Sequence, residues 1–145
     1  MKRLNSSFSP FFLAVIFTLS SCTPEIALFN ETAYQQAVDL KVEAAELIPN
    51  ATEPFEEYEE AVAEMRRGMA VAYEFAYGRP DNEISTRQWE IMKDPERNML
   101  GGFLARWEDE GTLSRVFVDE MLTLIEEGFD TIIGLESGKI DPDEV

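Results

Sequence analysis

The chain contains no histidine and a single cysteine, Cys22. The first absence removes the commonest general base and the commonest metal ligand. It also rules out the Glu-x-x-His pairs on which di-iron helical bundles depend. The second means that no disulfide closes within the chain, so the fold must stand on its core. Cations are scarce: 12 Lys and Arg face 29 Asp and Glu, a formal net charge of -17. A domain of that sign repels phosphate backbones, which argues against nucleic-acid binding, and it repels anionic lipid headgroups. No apolar run reaches the roughly 20 residues that a membrane-spanning helix needs. Gly-x-Ser-x-Gly and Ser-x-x-Lys motifs are missing, as is calcium-loop spacing. Ser-Lys and two-carboxylate chemistries stay open in principle. The sequence nominates no catalytic residue, no metal ligand and no cofactor.

What is present begins with a leader. Lys2 and Arg3 give a basic start, Phe11 to Leu19 is an apolar run, and the small residues Ser20 and Ser21 precede Cys22. That order is the layout of a secretory signal. Leu19-Ser20-Ser21-Cys22 resembles the lipobox of bacterial lipoproteins. The resemblance covers the leader alone. It implies diacylglycerol attachment to the Cys22 thiol, cleavage before Cys22 and acylation of the new amino terminus. Two or more acyl chains hold a protein firmly where one does not. An ordinary secretory leader with an unmodified cysteine, or a retained short anchor, are the competing readings. By analogy with enterobacterial sorting, Thr23 after the cysteine implies the outer membrane of the cell envelope. Residues 1–21 are thus read as signal peptide and 22–31 as a lipidated tether, whose last nine residues extend roughly 30 Å. Removing the signal takes Lys2 and Arg3 but no acid, leaving ten basic residues against 29 acidic ones.

The rest reads as helices, with no strand-like alternation. With an apolar fraction of 45% the chain can build a core. Thr32 is a candidate cap for a first helix to about Ile48, with Ala33, Ala37, Leu40, Ala44 and Leu47 on one side and Pro49 as its stop. The sequons at Asn30 and Asn50 read as helix-boundary chemistry. Thr52 would cap a second helix with Pro54 in its first turn. Its seam of Phe55, Tyr58, Val62, Met65, Met69, Ala72 and Ala76 suits near-parallel packing, and Gly78 and Pro80 end it. A short helix through Trp89 and Met92, capped by Ser85 with Gln88, follows. Asp94-Pro95 would open a fourth segment, 95–110, in which Gly101 and Gly102 suggest close backbone approach. The last helix starts from Thr112 or Ser114 and runs to about Ile133, where Gly134 ends it. The expectation is an all-α, antiparallel up-down bundle over 32–134, of four main helices plus one short one, with an acidic loose tail from 135 to 145.

Two regions carry possible binding chemistry. The acidic run from Glu53 to Glu60 offers oxygen ligands for divalent cations, but the carboxylates fall between core positions, as on a solvated face. The middle of the chain is different. Seven of the ten basic residues outside the leader lie between Arg66 and Arg106. Arg79, Arg87, Trp89, Lys93 and Arg97 form the candidate partner-binding group, because arginine with an aromatic residue is common at interfaces. Ion pairing within the fold, such as Glu83 with Arg87 one turn on, is the competing use. The expected function is that of an envelope lipoprotein, membrane-bound through lipid on Cys22 and non-enzymatic, that binds a protein or surface component. The alternative is a small-molecule or ion binder in the periplasm with a pocket between helices.

Overall fold

A computed structural model describes residues 29–141. The leader, Cys22 with the tether as far as residue 28, and tail residues 142–145 lie outside the described residues. The described chain is all-α: α1 Glu31–Leu47, α2 Glu59–Tyr77, α3 Glu83–Lys93, α4 Leu100–Glu110 and α5 Arg115–Glu136, with no strand among the described residues. The main contacts join α1 to α2 and α5, α3 to α2 and α5, and α4 to α3. None of these helices is long and apolar enough to cross a membrane.

The start of α1 is set by Asn30, not by Thr32. Asn30 is extended, and its Oδ1 accepts the Ala33 N–H at 3.1 Å. An asparagine in that position satisfies one of the four free donors of a helix start. The predicted stripe from Ala33 to Leu47 is buried. Pro49 does not break the chain outright but tightens it into a 3-10 turn, Ile48–Thr52.

Helix α2 begins at Glu59, seven residues after Thr52. The intervening backbone is already used by another part of the chain. Leu113 N–H donates to Ala51 O at 2.7 Å, and Phe55 N–H donates to Gly111 O at 2.8 Å. The Trp107 indole N–H donates to Glu53 O at 3.1 Å. These bonds, with the 3-10 turn Phe55–Glu57, hold the stretch against the start of α5 on a path that is not α-helical. From Val62 to Ala76 the seam is buried as its spacing predicts.

Helix α3 starts at Glu83, so Ser85 lies inside it, fully buried, and caps nothing. Asn82 takes the cap position, and its Nδ2 reaches back to Ala76 O at 3.0 Å, closing the α2–α3 turn. Helix α4 starts at Leu100, five residues later than Asp94-Pro95 suggests. Asp94 Oδ1 instead accepts the Glu96 N–H at 2.9 Å and stabilises a turn. The two glycines do mark close approach: a Cβ on Gly101 would lie 2.3 Å from Lys93 O, and one on Gly102 would lie 1.9 Å from Arg97 O.

Ser114 is the cap of α5, accepting the Phe117 N–H at 3.3 Å. Its end comes later than Gly134. Gly138 adopts φ +68°, the left-handed conformation that costs glycine little. Lys139 N–H then bonds to Gly134 O at 2.8 Å and Gly138 N–H to Leu135 O at 3.0 Å, a Schellman closure. Gly134 serves packing instead: a Cβ there would strike Ile140 Cδ1 at 2.3 Å. The loose tail therefore does not begin at 135, because Leu135 and Glu136 are helical and buried.

Trp107, Phe103 and Phe129 are the largest fully buried side chains. Trp107 meets Phe55 edge-on at 5.7 Å and Tyr58 at 5.4 Å, tying α4 to the segment before α2.

Candidate functional site

The turn from α2 to α3 sets the geometry of the region nominated by sequence. Arg79 leaves the end of α2 and turns inward, where its guanidinium donates to Glu136 Oε2 at 2.6 Å. The two side chains are only 12% and 2% exposed, so this is a buried ion pair between the α2–α3 turn and the end of α5. Such a pair contributes little compared with a well-packed apolar pair, yet removing the arginine would leave the Glu136 carboxylate buried without that cation. Asn82 and Ser85 are buried nearby in sequence. Asn82 Oδ1, Ser85 Oγ and Glu136 Oε1 are buried without a hydrogen-bond partner among the described residues.

Above this layer lies an open groove of about 460 Å³, lined by Tyr77, Arg79, Asn82, Thr86, Arg87 and Glu90 together with Asp81 and Glu83. Tyr77 is 68% exposed and stacks on Tyr73, ring centroids 6.0 Å apart. The Lys93 ammonium sits 4.4 Å from the centre of the Tyr73 ring. Thr86 donates its hydroxyl to Asn82 O at 2.8 Å, leaving its oxygen lone pairs toward other donors. Arg87 and Glu90 also line an adjoining cleft of about 260 Å³, which ends at Asp94 and Arg97.

The five nominated residues thus separate. Arg79 and Arg87 share the groove, Lys93 lies on Tyr73, and Arg97 pairs with Asp94 at 3.7 Å. Trp89 is not part of that surface. It is 2% exposed and meets Phe129 of α5 edge-on at 6.0 Å, so the indole is a core side chain. Its place on the buried side of α3, with Ser85 and Met92 at intervals of four and three, explains this. Glu83 and Arg87 form no ion pair among the described residues.

No family model, curated protein or solved structure matches this chain. Function is therefore read from the site alone. Sequence reasoning passed over Tyr77, Asn82, Thr86 and Glu90. Tyr77 had a signal: it lies next to the last seam residue, Ala76, at a position the packing face leaves outward. Asn82 had none, since its role depends on a bond to Ala76 O made only once the turn has formed. Two other basic residues of the middle region, Arg66 and Arg106, are engaged in the fold. Arg66 pairs with Glu108 at 2.7 Å; Arg106 pairs with Glu110 at 2.7 Å and lies over the Phe117 ring. Among the described residues, no three acidic or cysteine side chains gather as metal ligands would.

Arg87 is the exposed cation of the groove, with guanidinium donors in a fixed fork. With Tyr77 as an apolar face and Thr86 and Glu90 as further polar contacts, the groove offers hydrogen bonds and stacking to a polar partner.

Proposed function

We propose that this protein is a lipid-anchored component of the bacterial cell envelope, held in the outer membrane through Cys22, that binds a protein or surface component and carries out no chemical reaction itself. The leader, with its Leu19-Ser20-Ser21-Cys22 ending, supports the address. The observation that carries the binding reading is Arg87. It stands exposed at the groove beside Tyr77 and pairs with no carboxylate among the described residues, in a chain with 29 acidic residues. We read the supporting scaffold as an up-down bundle in which α1, α2, α3 and α5 each adjoin two of the others, with α4 packed on α3; the contact pattern supports that arrangement.

The small-molecule reading drew on the glycine pair and on Trp89. Those features have other uses: Gly101 and Gly102 are closed over by backbone, and Trp89 is packed on Phe129. A photo-crosslinking residue placed at Arg87, in cells producing the intact lipoprotein, tests the binding reading. The expected result is a discrete adduct that a crosslinker at the exposed Glu120 does not form. Absence of any adduct specific to position 87 overturns it. The address is tested by Cys22→Ala, for which loss of acylation and accumulation of a precursor or soluble form are expected. Unchanged membrane partitioning would contradict it.

A further inference from the structure

A second groove, remote in sequence from Arg87, runs between α1 and α2. Two adjoining hollows of about 300 and 350 Å³ share Glu43 and Glu64 and together extend from Gln36 on α1 to Asn50 in the turn that follows it. Residues 36–43 face 64–71, and 43–50 face 58–65, so the two helices run antiparallel along it. Its floor is apolar: Leu40, Leu47 and Met65, each less than a tenth exposed, with Val71 at one end, 52% exposed. Gly68 lets the helices close up there, since a Cβ on it would meet Leu40 Cδ2 at 2.6 Å. The rim is acidic on both sides, with Asp39, Glu43 and Glu46 on α1 and Glu64 on α2, against the single cation Arg67. Glu43, Glu46 and Glu64 pair with no cation among the described residues.

We infer that this groove docks a cationic amphipathic helix of a partner protein. An apolar floor between two helices takes the apolar stripe of a third, read as side chains at intervals of three and four. The hollow is roughly 20 Å long, which matches about four helical turns. Carboxylates facing one another across the floor repel, and Lys or Arg flanking the incoming stripe removes that repulsion while adding attraction. A second copy of this chain is the wrong occupant. It would bring the same carboxylates against these ones across a two-fold axis. An anionic lipid surface is wrong for the same reason of sign.

The test uses the full chain in a non-ionic detergent and a labelled synthetic peptide of about 14 residues, a length set by four turns of helix. One peptide carries a leucine–alanine stripe flanked by lysines. A second has glutamate for every lysine, and a third scrambles the first so that the stripe is lost. Fluorescence anisotropy should show saturable binding of the first alone, weakening with salt. The double variant Glu43→Lys, Glu64→Lys should lower the affinity about tenfold or more, by placing like charges against the peptide. Val71→Arg, at an exposed position, should block the floor; circular dichroism of both variants reports that they still fold. Equal binding of the scrambled peptide, binding of the glutamate peptide, or unchanged affinity in both folded variants overturns the inference. So does self-association of the chain through this face in preference to peptide binding.

Discussion

Replacing Gly101 by alanine reverses the usual sign of a glycine-to-alanine change in a helix. In an unobstructed helix interior the substitution stabilises by about 1 kcal/mol, and less in a first turn. Here the added methyl meets three backbone atoms: Lys93 O at 2.3 Å, Lys93 C at 2.4 Å and Asp94 C at 2.8 Å. A contact of that kind is relieved only by moving the α3–α4 turn by several tenths of an ångström or more. Overpacking against a structure that cannot yield costs about 1–3 kcal/mol, and a backbone obstacle belongs at the upper end. The net expectation is a loss of about 2 kcal/mol, or roughly 8 °C in melting temperature for a domain of this size. Gly128→Ala is the matched control. Its methyl meets only the Met99 and Met92 terminal methyls, at 2.3 and 2.8 Å. Unbranched methionines swing aside, so the helix-propensity gain offsets the cost and the change stays within about 1 kcal/mol. Urea unfolding of the chain from Thr23 onward, followed by tryptophan fluorescence, measures both, because Trp89 and Trp107 are both buried. A Gly101→Ala protein as stable as the parent would mean that α4 does not lie against the 93–94 backbone.

Trp107→Ala should cost about 3–5 kcal/mol in the same assay, since it empties the largest buried site and removes the donor to Glu53 O; a loss under about 1 kcal/mol would contradict the assigned packing. Glu136→Ala should destabilise by about 1–3 kcal/mol by removing the buried charged hydrogen bond between the Arg79 guanidinium and the end of α5. A double-mutant cycle with Arg79→Ala should return a coupling energy well above that of an exposed pair, and a value near zero would refute the pairing. Gly138→Ala should cost about 1–2 kcal/mol through its positive φ, and the Lys139 amide should lose hydrogen-exchange protection before the middle of α5 does.

Helices were legible where a single apolar stripe decided them. The stripe of α1 and the seam of α2 are buried as their spacing requires, and all-α architecture followed from those periods. Boundaries were legible only where the deciding group is local. Ser114 is such a case, because its hydroxyl reaches three residues along the same chain. The residues between Thr52 and Glu59 are the opposite case. Helical propensity and a good cap both favoured an early start, but the backbone from Ala51 to Phe55 is bound by Gly111, Leu113 and Trp107, more than 50 residues away. Gly134 and Gly138 show a subtler limit. Both are four-spaced glycines near a helix end, and only φ and the position of Ile140 distinguish the one that stops the helix from the one that packs. At the site, Trp89 misled because composition marks it as interfacial, whereas its register on α3 directs it to Phe129. Arg79 and Arg87 were found by charge, but not that one is inward and the other outward.

The two hydrogen bonds that join Ala51 to Leu113 and Phe55 to Gly111 work as a late clasp. They link points about 60 residues apart, and closing so long a loop must wait until both ends are present. The early hairpin of α1 and α2 therefore cannot lock its connecting segment by itself. A polypeptide threading through a translocation channel amino end first would stay pliable until most of its length had passed. Only the arrival of the stretch just before α5 would fasten it, so under the proposed envelope address these two bonds would postpone the moment at which the chain becomes too rigid to thread.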